Sequence, residues 1–411
     1  MRTQCCIVGG GPAGMMAGLL LARAGIDVTV LEKHADFFRD FRGDTIHPST
    51  LQMLDELGLL DEFLRVPHDE LTQISGQIGT DVVHIADFDK LPTRCKFLAF
   101  MPQWDFLNFL RDRALAYPTF HLLMQTACTD LIRENGRITG VGTNRTDDAS
   151  VIYADLVLGT DGRTSIVREK AGLPVTNLGA PMDVLWMRVD KQPGDKIETL
   201  GIAGAGNFLV MIDRKTYWQT AFVFAKGTYL ALKQGPIDAV KSKMLHLAPF
   251  LQGRLDGIAS WDDARLLEVR VDRLERWYAP GVLCIGDAAH AMSPIGGVGV
   301  NLALQDAVAA ANILWEPLSR SAPREADLQA VQRRRMFPTI ATQGLQLTIQ
   351  RFGVRAILKS THLERAPAAL RQLTRIPALR RTVGRLIGLG FRPEHIRSPL
   401  RARPRDERPV T

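Results

Sequence analysis

The chain has 411 residues, of which 46% are hydrophobic and 23% are charged. This composition excludes a disordered chain, and the length suits two or three domains. The net charge is +7, but the excess arginine lies mostly in the C-terminal quarter and no basic run is interleaved with aromatic residues, so we expect no nucleic-acid partner. Five cysteines without a CxxC pair predict neither disulfides nor a metal site.

The N-terminal apolar run does not resemble an export signal, because glycines interrupt it over residues 9–14. No run of about 18 apolar residues predicts a membrane span. We therefore expect a cytoplasmic protein.

The first elements in chain order predict a strand, a glycine-rich turn, a helix and a second strand. Residues 4–8 are apolar, residues 15–24 are rich in Ala, Leu and Met before Gly25, and residues 27–31 are rich in β-branched types. This order predicts a βαβ unit with a parallel sheet. A further helix is expected after Pro48, with Ser49 or Thr50 capping residues 51–57 and Gly58 ending it.

The following elements indicate a change of architecture. Alternation over residues 74–88 predicts a hairpin, residues 104–115 a helix, and residues 151–158 a buried strand. Residues 182–225 predict several strands of an antiparallel sheet and hence a second domain. Residues 281–285 predict a short buried strand, and residues 300–314 and most of 316–390 predict helices. The Arg- and Pro-rich tail from residue 392 is expected to be extended or disordered.

The first motif is GxGxxG, with glycines at positions 9, 11 and 14 enclosing Pro12 and Ala13. It follows a strand and opens a helix, so the phosphates of a dinucleotide would bind at the free N–H groups of the helix start. Glu32 ends the second strand, where its carboxylate can accept both ribose hydroxyls and disfavours NADP. Together these features predict a dinucleotide site, to which we also assign the adjoining Lys33.

Two later motifs indicate whether the dinucleotide is FAD or NAD. One runs from Asp161-Gly162-Arg163 to Arg168, and the other combines Gly286-Asp287 with the segment 293–306. With the first motif they resemble the flavoprotein monooxygenases of the para-hydroxybenzoate hydroxylase fold, over about residues 1–315. The resemblance implies an α/β fold: an FAD-binding Rossmann-like (GR2-type) domain, a mainly antiparallel β-sheet substrate domain and a helical C-terminal region.

On this basis we divide the chain into alternating segments. The FAD-binding domain is expected in three parts, 1–73, 103–178 and 273–315. The substrate domain is expected to comprise the strands of 74–102 and the β-sheet of 179–272, and residues 316–411 to form C-terminal helices and a basic tail.

The motifs and the resemblance together assign the cofactor residues. By resemblance Arg42 reaches the FAD phosphates, Gln103 approaches the flavin side chain, and Cys128 lies beside the adenine with its backbone. Asp161 either contacts the cofactor or only caps the helix of residues 165–171. The full expected set is Gly9, Gly11, Pro12, Ala13, Gly14, Glu32, Lys33, Arg42, Gln103, Cys128, Asp161, Gly286, Asp287, Pro294, Gly297, Gly299, Val300 and Asn301.

The resemblance also implies the reaction. No second GxGxxG with strand and helix context is present, so NADH or NADPH is expected to bind transiently and reduce FAD. Reduced FAD then forms a C4a-hydroperoxide with O₂ that hydroxylates an aromatic substrate, phenol-like or of a polycyclic or quinone type. The expected partners are thus a small aromatic molecule and O₂.

The catalytic group stays open. His47, Arg188, Tyr217 and Pro294 are candidates. Trp186 and Arg188 share one face of a predicted strand, and Tyr217 and Gln219 share one face of another. Each pair either lines a pocket or faces solvent. We interpret His290 as structural rather than as a general base.

Several alternatives remain. The same scaffold supports halogenation or isoprenoid reduction, although the WxWxIP motif typical of halogenases is absent. The remaining alternatives are an NAD-dependent dehydrogenase and a non-catalytic flavin-binding protein. The basic amphipathic segment 370–397 either packs on the core, which we prefer, or touches a membrane surface. A monomer and a homodimer are both compatible with the sequence.

Overall fold

The computed structural model describes residues 1–38, 45–192, 194–195, 200–214 and 216–402. Its strands, in chain order, are β1 (Arg2–Val8), β2 (Val28–Leu31), β3 (Thr45–Ile46), β4 (Asp69–Leu71), β5 (Gln73–Ile78), β6 (Asp81–Asp87), β7 (Leu98–Phe100), β8 (Phe120–Leu123), β9 (Cys128–Glu134), β10 (Arg137–Thr143), β11 (Val151–Gly159), β12 (Val175–Asn177), β13 (Met182–Asp190), β14 (Leu200–Gly204), β15 (Asn207–Asp213), β16 (Tyr217–Ala225), β17 (Ala264–Leu267), β18 (Asp272–Leu274), β19 (Tyr278–Ala279) and β20 (Val282–Cys284).

The α-helices are α1 (Pro12–Arg23), α2 (Pro48–Glu56), α3 (Leu60–Phe63), α4 (Gln103–Leu115), α5 (Ile166–Lys170), α6 (Tyr229–Lys233), α7 (Asp238–Leu247), α8 (Val298–Arg320), α9 (Glu325–Ile349), α10 (Arg355–Lys359), α11 (Ala368–Thr374) and α12 (Pro377–Gly388). A π-helical turn, Gln350–Val354, joins α9 to α10. These elements confirm the predicted βαβ unit, the hairpin, the four strands within 182–225 and the helical C-terminal region.

The first layer is a mixed sheet whose strands β8, β2, β1, β11 and β20 are parallel neighbours. Strands β9 and β10 continue from β11 as an antiparallel meander. Helix α1 is buried against this sheet and packs on α8. Because β1 and β2 are buried on both faces, they carry continuous apolar runs, as parallel strands do. The carboxyl ends of the parallel strands form the edge where ligands bind in open α/β folds.

The second layer is a seven-stranded sheet in the order β17-β13-β16-β15-β14-β5-β6, antiparallel except between β14 and β5. One face packs against α7 through an apolar cluster that includes Leu185, Met187 and Phe222. The other face carries Trp186 and Val210 and turns toward the loop before α8. The predicted antiparallel second sheet is therefore confirmed.

Helix α2 differs from the prediction at its start. It begins at Pro48 with His47 as the N-cap residue, so Ser49 and Thr50 lie inside the helix and the predicted cap is wrong. Proline suits the first helical position because its missing N–H has no partner to lose there. The predicted end is confirmed, since Gly58 follows the helix with a φ of +72°.

The C-terminal helices lie on the second sheet. Helix α12 crosses β6 so closely that a Cβ on Gly384 would lie 2.0 Å from the Asp87 carbonyl oxygen. Arg380 donates to the Asp87 carboxylate at 2.8 Å, and the apolar residues Val383 and Ile387 pack beneath the helix. The apolar face of this basic segment is thus turned inward.

Within the described residues, one helix has the length and composition of a membrane span. It includes α8 and runs over residues 295–320. An 18-residue window within it has a mean hydropathy of 1.3, and 67% of that window is buried inside the protein. It packs on α1 and α9, as the core helix of a globular domain does.

Candidate functional site

The first glycine turn forms a cradle at the start of α1. A Cβ on Gly14 would lie 2.0 Å from the Gly9 carbonyl oxygen, so only glycine allows this close approach. At Gly11, in contrast, no atom lies within 4 Å of the Cβ position. The first N–H groups of α1 lack intrahelical partners and face an open space of the kind that a phosphate takes. Pro12 occupies the first helical position, and Ala13 is buried beneath Gly286.

Glu32 is held in place at the end of β2. One carboxylate oxygen accepts from the Gly10 N–H at 3.1 Å and the other from the His34 N–H at 3.0 Å. A carboxylate in this position can accept ribose hydroxyls. The Glu32 carbonyl accepts from Thr126 at 2.8 Å, which brings the start of β9 alongside. Lys33 is exposed.

Cys128 begins β9 close to this point and is buried. Burial raises the pKa of its thiol to about 12, so the thiol stays protonated at neutral pH. Its Sγ lies 3.5 Å from the Asp130 carbonyl oxygen. This geometry leaves Cys128 as a small apolar residue at the predicted adenine end.

Asp161 and Asp287 follow the neighbouring parallel strands β11 and β20. The half-buried Asp161 carboxylate accepts from Ser165 Oγ at 2.5 Å and from the Val167 N–H at 3.1 Å, so it caps α5, as one of the two interpretations expected. Burial raises the pKa of Asp161. Asp287 is about one-third exposed and accepts from Arg163 Nε at 3.1 Å.

A second turn, Ile295–Gly297, lies just before α8. Gly296 and Gly297 both have left-handed backbones, with φ of +77° and +62°. A Cβ on Gly297 would lie 2.4 Å from Thr45 Oγ1, and that hydroxyl donates to the Gly297 carbonyl at 3.2 Å. Two constraints therefore require glycine here. Pro294, Gly299 and Val300 are half-buried, so the turn and the first residues of α8 present backbone at an accessible surface.

Asn301 ties this turn to the segment that precedes α2. Its Oδ1 accepts from the His47 N–H at 2.8 Å and from Thr50 Oγ1 at 2.7 Å, while its Nδ2 donates to the Thr45 carbonyl at 3.1 Å. The Asn301 side-chain amide is thus engaged with protein groups, and a contact of Asn301 with the cofactor stays a prediction. The amide fixes residues 45–50 against α8.

His290 belongs to a buried ionic network. Its Nε2 lies 2.5 Å from Asp306 Oδ2, and Arg335 Nε donates to the other Asp306 oxygen at 2.8 Å. Although burial favours the neutral acid, His290 and Arg335 hold the pKa of Asp306 below its ordinary value. Asp306 also accepts from the Gly286 N–H at 3.1 Å. Through the Gly286 N–H the network stabilises the Gly286-Asp287 turn, in agreement with a structural role for His290.

Two of the four catalytic candidates, Arg188 and Tyr217, contact each other. His47 is fully buried, with Nδ1 donating to the Ile387 carbonyl at 2.8 Å. The exposed Arg188 stacks its guanidinium 4.3 Å from the centre of the Tyr217 ring. Pro294 accepts from the Gly297 N–H at 3.1 Å. Trp186, on the same face as Arg188, packs instead toward Ile295.

Gln103 and Arg42 are the remaining residues predicted to contact FAD. Gln103 opens α4 and is half-buried. Arg42 lies outside the described residues. Thr45 and the α9 glutamines were not predicted from the sequence, because their contacts are with residues distant along the chain. The helical spacing of Gln343, Gln346 and Gln350 is the signal that points to the glutamines.

The described residues fit an extended dinucleotide with a flat ring. The cradle at Gly11 suits phosphates, the carboxylates of Glu32 and Asp287 can accept hydroxyls, and the turn before α8 leaves backbone accessible. Among the described residues, no cluster of three or more His, Cys, Asp or Glu side chains could hold a metal ion.

Comparisons with known proteins agree with this geometry. A family model described as "FAD binding domain" matches residues 2–344. The chain is 33% identical over 402 residues to 6-methylpretetramide 4-monooxygenase of Streptomyces rimosus, covering 97% of this chain and 95% of the relative. It is 28% identical to 12-dehydrotetracycline 5-monooxygenase/anhydrotetracycline 6-monooxygenase of the same species, covering 81% and 67%. The solved flavin-dependent brominase Bmp2 shares the fold, with a TM-score of 0.77, 17% identity and 94% of each chain covered.

Proposed function

Because the chain belongs to the FAD binding domain family and is an FAD-dependent monooxygenase of the aromatic hydroxylase type, we propose that its substrate is a fused-ring phenol of the polyketide kind. FAD is its cofactor, and NADH or NADPH supplies the electrons.

The observation that carries the proposal is the apolar sheet face opposite the turn before α8. Trp186 and Val210 on that face share apolar clusters with Ile295 on one side and with Val383 and Ile387 of α12 on the other. Trp186 lies on β13 and Val210 on β15, with β16 between them, so the apolar face extends over three strands. A fused aromatic system has the shape and the large apolar area that such a site buries favourably.

The named activities of the relatives support the same class. The relative that aligns over almost the full length of both chains is named for a pretetramide, and the second for tetracyclines. A single-ring phenol would contact only part of this apolar sheet face.

We propose the following roles around the cofactor. The start of α1 binds the pyrophosphate, Glu32 the adenosine ribose, and Asp287 the flavin side chain. When bound, FAD supplies the reduction chemistry that activates O₂. The N-terminus of α8 places partial positive charge beside the turn at Gly297, which favours negative charge on a neighbouring ring.

The chain also controls water and substrate access. Val383 and Ile387 lie over the apolar clusters of the sheet face, so α12 excludes water from that side of the substrate. Arg380 and Arg381 hold the helix through the carboxylates of Asp87 and Asp89. The guanidinium groups therefore position the helix and do not need to touch the substrate.

The test is anaerobic stopped-flow reduction of the purified holoenzyme by NADH or NADPH. A tetracyclic phenol such as anhydrotetracycline is compared with a single-ring phenol and with no addition. We expect the tetracycle alone to accelerate flavin bleaching by about tenfold, a barrier change of about 1.4 kcal/mol. Equal acceleration by the single-ring phenol would contradict the substrate class. Halogen transfer to the tetracycle in bromide buffer would instead favour the halogenase alternative.

We propose a cytoplasmic location for the enzyme, where its nicotinamide donor is available, and a monomeric or homodimeric state. Cell fractionation and light scattering of the purified protein test these two points. Recovery in the membrane fraction would contradict the first.

A further inference from the structure

A row of glutamines on α9 fixes the loop that leads to the Gly296-Gly297 turn. Gln343 Nε2 donates to the carbonyls of Asp272 and Ala291, at 2.8 and 3.1 Å. One turn later, Gln346 Nε2 donates to the Ser293 and Ile295 carbonyls, at 3.0 and 2.9 Å, and its Oε1 accepts from the Ser293 N–H at 3.2 Å. Gln343 Oε1 accepts from Arg273 Nη1 at 2.8 Å, so Gln343 joins β18 to the loop, whereas the Gln346 amide is engaged with the loop alone.

Gln350 continues the row but has no such partner. It follows Gln346 by four residues, so the two side chains project from the same side of the helix. Gln350 is 1% exposed, and within the described part of the chain neither its Nε2 nor its Oε1 makes a hydrogen bond. Burying a polar group without a hydrogen-bond partner destabilises the folded protein. Such a cost calls for a compensating function.

The helix changes its geometry at the same residue. Gln350–Val354 forms a π-helical turn between α9 and α10. Turns of this kind are rare and occur frequently at functional sites. The irregular backbone and the unpartnered amide therefore coincide at one position.

The neighbours of Gln350 show where its amide lies. Gln346, one turn before, contacts the Ile295 carbonyl. Val354, one turn after, packs in the apolar cluster that contains Trp186, Val210 and Ile295. Gln350 therefore lies between the turn before α8 and the apolar sheet face, at the edge of the proposed substrate site.

We propose that the Gln350 carboxamide binds the oxygen substituents of the aromatic substrate and so selects which ring carbon is presented for hydroxylation. This inference rests on the proposed function. A carboxamide donates through Nε2 and accepts through Oε1, which suits a substrate carrying both ring carbonyls and phenolic hydroxyls. A hydrocarbon of the same shape would gain nothing from it. Gln350 is thus a specificity-determining residue.

The test compares Gln350→Met with Thr339→Val in the FAD-loaded full-length chain. Methionine keeps the length of glutamine without its hydrogen-bonding atoms. Thr339 is the matched control, since it is buried on the same helix and its hydroxyl also lacks a partner among the described residues. Dissociation constants are measured from changes in flavin absorbance, with dihydroxyanthraquinone as the oxygenated probe and anthracene as the hydrocarbon probe. Melting temperatures are recorded without any probe.

We expect Gln350→Met to weaken dihydroxyanthraquinone binding by about tenfold, which corresponds to about 1.4 kcal/mol, and to leave anthracene binding unchanged. Its melting temperature should be equal or higher, because an unpartnered buried amide is removed. Thr339→Val should change neither binding constant. Unchanged dihydroxyanthraquinone binding in Gln350→Met would refute the inference alone. A fall in melting temperature with loss of FAD would show a structural role and refute it too. Failure of the wild-type protein to bind either probe would refute the proposed function as well.

Discussion

Acidification should destabilise this protein through His47. The imidazole is fully buried, and its Nδ1 must carry the proton, because its neighbour at 2.8 Å is the Ile387 carbonyl. Protonation would add a charge at Nε2, which makes no hydrogen bond among the described residues. Burial accordingly lowers the pKa of His47 from 6.5 to about 4.

The sign and size of the effect follow from proton linkage. Between pH 6.5 and about 4 the unfolded chain binds a proton at this residue and the native chain does not, so stability is full above 6.5 and is lost as the pH falls. The gap of about 2.5 pH units corresponds to about 3 kcal/mol in total, of which about 2 kcal/mol is lost by about pH 5.

Urea-induced unfolding at about pH 7.5 and about pH 5 measures the effect in three proteins. His47→Gln keeps an N–H donor for the Ile387 carbonyl but cannot titrate, so its free energy of unfolding should fall by about 2 kcal/mol less than that of the wild type. His362→Gln, a change at an exposed histidine, should behave as the wild type does. An equal loss in the wild type and His47→Gln would refute the reasoning.

Three further substitutions, the first with Gly344→Ala as its control, test the cofactor site and the buried network beside it. Gly297→Ala should weaken FAD binding by about tenfold in a fluorescence titration of the apoprotein, because a left-handed alanine costs about 1–2 kcal/mol and its Cβ would displace the segment before α2. Gly344→Ala, where no atom lies near the added Cβ, should bind FAD normally. Asp306→Asn should lower the free energy of unfolding by about 3 kcal/mol, since it weakens the compensation of the fully buried Arg335; an unchanged urea midpoint would contradict this. Asp287→Ala should lower the flavin-to-protein absorbance ratio after gel filtration, and full occupancy would show that our placement of this contact is wrong.

Local features of the sequence predicted the cofactor side of the fold well. The strand, turn and helix around Gly9, Gly11 and Gly14 depend on residues within about 30 positions, so the pattern alone was sufficient. The sequence predicts either a cofactor contact or a helix cap for Asp161, and the contacts with Ser165 and Val167 are those of a cap. The FAD cofactor and the monooxygenase class agree with the relatives.

The substrate side depended on contacts that no local pattern contains. Strand alternation showed that Trp186 and Arg188 share a face, but not that Trp186 is covered by the loop before α8 while Arg188 is exposed beside Tyr217. The Asn301 amide is engaged by residues about 250 positions earlier in the chain, at His47 and Thr50. Such pairings are set by the tertiary packing of separate elements, which a single sequence does not reveal.

Turnover under isotopically labelled dioxygen tests the central claim most directly. The purified enzyme, loaded with FAD, is supplied with NADH or NADPH and a tetracyclic phenol, and the product is analysed by mass spectrometry. A monooxygenase predicts a product that carries one labelled oxygen atom on a ring carbon, with one nicotinamide oxidised for each product formed. An unlabelled product, or nicotinamide oxidation that yields only hydrogen peroxide with every aromatic tried, would contradict the account.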